Sequence, residues 1–187
     1  IVPTHTFTAT AEVVRYLGAD PVFVDIDHAS YCLSIDEVSQ VDSGDVKAVI
    51  PVHFAGHSCD MAGLQSICGA RGWKIVEDAA HALPTRSAGR LIGTLDSAVT
   101  VFSFYATKTI ATGEGGMLVT RRPELAARAR VMRLHGIEVP PEEIELEDPV
   151  RRACQQLEDP LLGRHLMREL EALLSAVAAR RGDDARA

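Results

Sequence analysis

The chain has 187 residues, 47% hydrophobic and 24% charged, the make-up of a soluble globular protein with one good-sized core or one domain and an appendage. A net charge of −7 and only 5% aromatic residues argue against nucleic acid or anionic lipid as principal partner, and favour small molecules and protein surfaces. No apolar run reaches the ~20 residues of a membrane-spanning helix, and no secretory leader is visible.

The chain opens on Ile1-Val2-Pro3, which reads as the inside of a strand; lacking a methionine, it is expected to follow further sequence. A helical window at 8–17 leads to the apolar run PVFVDID at 21–27, a strand candidate ending on Asp25 and Asp27. A second helical window, 34–41, precedes a strand over 46–54, VKAVIPVHF. The third helix is placed at 60–71, with Asp60 as its N-cap and Gly72 as its stop. Strands are predicted at 73–79, 97–104 and 115–120, and a helix at 122–134. Strands this continuously apolar suit a sheet covered on both faces. Their alternation with helices predicts a three-layer α/β/α arrangement around a mostly parallel sheet with right-handed crossovers. Only about ten residues join the last two strands, too few for a crossover helix, so that pair is expected to be antiparallel.

From about Glu138 the character changes. The segment EVPPEEIELEDP is acidic and broken by prolines, and 161–179 reads as one amphipathic helix before a polar tail. Twelve acids against seven arginines fall in 138–187, which carry no lysine. The organisation expected is a core over 1–137 and an acidic linker with a helical tail over 138–187. Cys32, Cys59, Cys68 and Cys154 lack CxxC spacing and read as reduced thiols of a cytoplasmic protein.

In open α/β sheets ligands bind beyond the C-terminal ends of the strands. The polar residues at such ends are Thr4 to Phe7, Asp25 and Asp27, His53, the group Glu77, Asp78 and His81, and Ser103 with Lys108. Asp78 alone reads either as a helix cap or arginine partner, or as a carboxylate reserved for a bound cation. Lys108 alone reads either as a solvated lysine or as an amine for Schiff-base chemistry. Together they are more informative: a carboxylate able to hold a protonated pyridine nitrogen, and an accessible lysine, are the minimum kit for pyridoxal phosphate. Ser103 and Thr107 add hydroxyls suited to a phosphate.

Other patterns yield to simpler readings. His53, His57, Cys59 and Asp60 in HFAGHSCD have no strong zinc spacing, so no metal is assigned. GEGG at 113–116 lacks a Walker context and reads as a turn before a strand. Asp25 and Asp27 could take magnesium, but the preferred reading is turn-forming aspartates at a strand end. No GxGxxG follows the first strand, which speaks against a dinucleotide-binding unit.

The segments IVPTHTFTATAEVVRYLGADPVFVDID, AVIPVHFAGHSCDM, WKIVEDAAHA, FSFYATKTIATGEGGMLVT and RLHGI occur in one order over 1–137. In that order they resemble the DegT/DnrJ/StrS-type sugar aminotransferases, pyridoxal-phosphate enzymes of the aspartate-aminotransferase fold. The resemblance implies that Lys108 binds the cofactor covalently and that Asp78 pairs with its ring nitrogen. It further implies that Phe7 stacks on the ring, His81 lies beside it, and Ser103 binds the phosphate. An amino donor, glutamate by resemblance, and a nucleotide-linked keto sugar are the implied substrates, and a homodimer the implied assembly of a complete member. Related deoxysugar dehydratases carry histidine at the lysine position, so Lys108 implies transamination. A second reading is a truncated or degenerate homologue that keeps the fold without turnover. Complete members are expected to extend before Ile1 and past Gly136, and 138–187 to stand outside the resemblance.

Overall fold

A computed structural model describes residues 1–42 and 44–133, so the expected helix at 161–179 and Cys154 lie outside the described residues. In chain order the elements are β1 (Val2–Pro3), α1 (Ala9–Tyr16), β2 (Phe23–Val24), α2 (Ile35–Gln40) and β3 (Ala48–Val49). There follow a 3-10 turn (Phe54–Gly56), α3 (Met61–Arg71), β4 (Lys74–Asp78), and a hairpin of β5 (Arg86–Ser87) and β6 (Arg90–Leu91). The last are β7 (Val99–Ser103), β8 (Gly116–Val119) and α4 (Pro123–Met132).

One sheet runs β3-β4-β7-β8, with β3, β4 and β7 parallel and β8 antiparallel to β7. The antiparallel pairing expected from the short connection is therefore present. The parallel pair β1–β2 joins the β3 edge, because the Ile1 amine donates to the Ala48 carbonyl and the Ile50 amide to the Ile1 carbonyl. Parallel strands finish at the same edge, which gathers Thr4, His53, Asp78 and Ser103 along one rim.

Two expected strands are regular over only two residues each, for local reasons. After β2, Asp27 Oδ1 accepts from the amides of Ala29 and Ser30 and closes a turn. After β3, Pro51 has no N–H to give a ladder, although its carbonyl still receives the Asp78 amide at 2.9 Å. The β5–β6 hairpin, with Ala88 and Gly89 at φ +46° and +79°, has no counterpart in the expected elements. Both loop residues have positive φ, the geometry two-residue hairpins favour, but the pair Ala-Gly is a weak sequence signal for it.

α3 has the termini expected of it. Asp60 accepts from the Gly63 amide at 3.0 Å, and Gly72 follows at φ 71° in the left-handed region. Its Met61, Leu64 and Cys68 pack into a core with Val38 of α2, Trp73, Ile75, Ile92, Phe102, Phe104 and Ile110. Arg71 lies 4.8 Å from the Trp73 ring centre and donates to the carbonyls of Val38, Ser39 and Val41, tying α3 to the end of α2. Cys32, Cys59 and Cys68 are buried free thiols. On the other face of β7 and β8, Val101 and Leu118 stand opposite one another and stay exposed among the described residues. Replacing the α3 cap, Asp60→Ala, is expected to lower unfolding stability by about 1 kcal/mol, seen as an earlier urea midpoint with an unchanged slope.

Candidate active site

Asp78 ends β4 and is held from both sides. Its amide donates to the Pro51 carbonyl at 2.9 Å, and its carbonyl accepts from the His53 amide at 3.1 Å. On the far side the Ala79 amide donates to the Val101 carbonyl at 2.8 Å. With the backbone engaged on two neighbours, the half-buried side chain is turned to the open end of the sheet. Its Oδ2 accepts from the Thr10 hydroxyl at 2.8 Å, and its Oδ1 from the Ala80 amide at 3.1 Å. Thr10 is oriented in turn by the Thr6 hydroxyl, which donates to it at 2.8 Å. Sequence reasoning missed Thr10. Its only mark is to be the buried residue of an otherwise exposed helix, and that becomes visible only once α1 is set against β4.

Lys108 lies in the loop between β7 and β8. The Lys108 amide donates to Tyr105, the Thr112 amide to Phe104, and the Phe104 amide to Gly115, so the loop turns back on itself. Gly116 opens β8 opposite Ser103. A Cβ there would lie 2.7 Å from the Phe102 carbonyl oxygen, so only glycine lets the strand start this close to the lysine loop.

His81 connects the two groups. Burial lowers its pKa first, the Lys108 cation lowers it further, and the Asp78 carboxylate pulls the other way. The imidazole is thus within electrostatic reach of both. Its Nδ1 accepts from the Ala55 amide at 3.5 Å, and its ring meets Phe54 edge-on at 5.9 Å.

Phe7 is 80% exposed in the turn before α1 and joins the group through Thr10, whose amide donates to the Phe7 carbonyl at 3.0 Å. Ser103 ends β7, where its hydroxyl accepts from the Tyr105 amide at 3.3 Å. The structure therefore places Asp78 at the end of β4 and Ser103 at the end of β7 on one rim, with His81, Lys108 and Phe7 on the turns beside it.

In the histidine and cysteine segment, His53 and Cys59 are committed to partners within the chain. His53 Nδ1 accepts from the Cys59 amide at 3.1 Å and Nε2 lies 2.9 Å from Glu77 Oε2, so both ring nitrogens are engaged. The Cys59 thiol donates to the Val52 carbonyl. Among the described residues, no three His, Cys, Asp or Glu side chains are grouped to hold a metal ion. Asp25 and Asp27 each use Oδ1 for local donors, the Ile26 amide and Thr4 hydroxyl for one and Ser30 and Ala29 for the other, which lower both pKa values.

Pyridoxal phosphate needs a fixed carboxylate for a cationic ring nitrogen and an amine for its aldehyde. Asp78, anchored by Thr10 and the backbone, and Lys108, close enough to act on His81, fit both needs. A mixed sheet with these residues at its rim is the type I fold of pyridoxal-phosphate-dependent aminotransferases. The chain belongs to the DegT/DnrJ/EryC1/StrS aminotransferase family, whose model matches residues 1–151 and whose members depend on pyridoxal phosphate. The spore coat polysaccharide biosynthesis protein SpsC of Bacillus subtilis is 46% identical over 132 residues, covering 71% of this chain and 34% of SpsC. A crystal structure of DesI with its TDP-sugar product superposes with TM-score 0.68 at 38% identity, covering 74% of this chain and 35% of DesI. Spr1654 of Streptococcus pneumoniae, solved in its PLP form, gives TM-score 0.66 at 31% identity over 72% of this chain and 40% of its own. The chain spans about a third of the length of the curated relatives it matches.

Because burial and Lys108 both favour the neutral imidazole, His81 is expected to titrate below an ordinary histidine. Its contribution to stability is full above the ordinary histidine pKa and is lost as the pH falls below it. Removing the cation by Lys108→Met should move the His81 midpoint upward in an NMR titration. An unmoved midpoint would mean that the two side chains are not neighbours.

Proposed function

We propose that the protein acts as a pyridoxal-phosphate-dependent aminotransferase that passes an amino group from glutamate to a nucleotide-linked keto sugar. Family membership supports the reaction class. The single observation that carries it for this chain is the Asp78 carboxylate, held at the end of β4 by the Thr10 hydroxyl and the Ala80 amide on the rim where β7 ends and the Lys108 loop begins.

When bound, pyridoxal phosphate supplies an aldehyde that condenses with amines and a protonated ring that withdraws electrons from the substrate's α-carbon. Asp78 keeps the ring nitrogen protonated, held for that work by the Thr10 hydroxyl. Lys108 would hold the cofactor through its aldehyde carbon and, as an amine, would carry the proton to and from the substrate's α-carbon. Phe7 would cover one face of the ring, His81 would lie beside it, and Ser103 would give its hydroxyl to the phosphate. The substrate class draws on relatives, a TDP-sugar product in DesI and a role in coat polysaccharide for SpsC.

We further propose a cytoplasmic setting and a homodimer for the whole protein, with 1–137 as the cofactor-binding core and 138–187 as an acidic linker and tail. Among the described residues no helix is long and apolar enough to cross a membrane. The reaction is tested by loading the purified protein with pyridoxal phosphate, adding glutamate, and measuring 2-oxoglutarate released in a single turnover. Lys108→Ala should slow release by about a thousandfold or more. A near-normal rate in that variant, or a loaded protein inert to every amino acid, would overturn the proposal.

A further inference from the structure

Glu77 and His53 are both 0% exposed, and no step proposed above uses either. Their hydrogen bonds set the His53 tautomer. The Cys59 amide can only donate, so the His53 Nδ1 it reaches at 3.1 Å must hold a lone pair, and the ring proton sits on Nε2. That Nε2–H points at Glu77 Oε2, 2.9 Å away, while the Thr100 hydroxyl donates to Oε1 at 2.8 Å. Both Glu77 oxygens are thus engaged by groups of neighbouring segments. The titratable groups facing it are His53 beyond the end of β3 and the Cys59 thiol before α3. That thiol is pushed up mainly by Cys32 and by burial, with a further push from Glu77.

A buried carboxylate without a cationic partner is costly to keep in a sheet interior, and such groups cluster where function needs them. Here the placement suggests the need. Glu77 immediately precedes Asp78 on β4, and the His53 that donates to Glu77 through its ring also donates through its backbone amide to the Asp78 carbonyl. Thr100 brings in β7, so one carboxylate ties three strands together directly behind the cofactor-facing aspartate.

We propose that Glu77 is a positioning residue for Asp78: with His53 and Thr100 it pins the end of β4 and so fixes the aim of Asp78 at a cationic ring nitrogen. This rests on the cofactor chemistry proposed above.

The test compares the purified unmodified chain with Glu77→Gln and Thr100→Val. Each is reconstituted with pyridoxal phosphate and followed by thermal melting, half-saturating cofactor concentration, and the pH midpoint of the bound cofactor's visible absorption. Glu77→Gln keeps the volume and turns one acceptor oxygen into a donor amide facing His53 or Thr100. A folded Glu77→Gln protein should shift the midpoint down by about half a pH unit or more and weaken cofactor binding about threefold. Should that variant fail to fold, a folded Thr100→Val protein, which strips one donor from the carboxylate, should shift the same way. An unmoved midpoint in a folded variant, or collapse of both variants, assigns the trio to folding alone and overturns the proposal. An unmodified chain that takes up no pyridoxal phosphate overturns the cofactor chemistry along with it, whereas a normal uptake with unmoved variants overturns only the role of Glu77.

Discussion

The parallel pairing of β4 with β7 is the constraint on which the site depends. Asp78 stands opposite Val101, so β4 ends two residues before β7 does. The loop that leaves β7 for β8 starts at the same rim and carries Lys108. A slip of one residue would point Asp78 to the other face of the sheet and bring Glu77 to the rim in its place. The register is well specified, because it is the register in which Glu77 meets Thr100 and His53 inside, and Asp78 meets Thr10 outside.

Successive residues of one strand thus have opposite duties. Glu77 faces the interior, where its oxygens are satisfied by a threonine and a histidine from the two neighbouring strands. Asp78 faces the rim, where its oxygens meet only Thr10 and a backbone amide of its own turn. The interior partners resist movement of the strand end, and the rim leaves the second carboxylate available. A small polar network in the sheet, rather than apolar packing alone, sets the orientation of the group that chemistry would use.

Much of this was legible in the sequence. Apolar runs bounded by turn formers gave β4 and β7, and the polar residues just beyond them gave Asp78, His81 and Lys108. The termini of α3 were equally plain, since Asp60 and Gly72 signal through local chemistry. What escaped depends on neighbours distant in sequence. Thr10 is one of three threonines in TFTAT, and nothing local says that it is the one that reaches Asp78, 68 positions away. His53 and Glu77 looked like candidates for a ligand at the strand ends. Their true relation, a buried pair, requires knowing that β3 and β4 are adjacent and parallel. Strand lengths were overestimated at Pro51 and at Asp27, where a missing donor and a side-chain turn end the ladder in ways that hydrophobicity does not register.

The central claim, that the β7–β8 loop exists to bring one lysine to a bound pyridoxal ring, has a direct measurement. The chain has only three lysines, Lys47, Lys74 and Lys108. Borohydride reduction of the pyridoxal-phosphate-loaded protein, followed by mass mapping of its peptides, locates the covalent attachment among them. The account predicts a single phosphopyridoxyl adduct on Lys108. An adduct on Lys47 or Lys74 instead, or none on a protein shown to be folded, would contradict it.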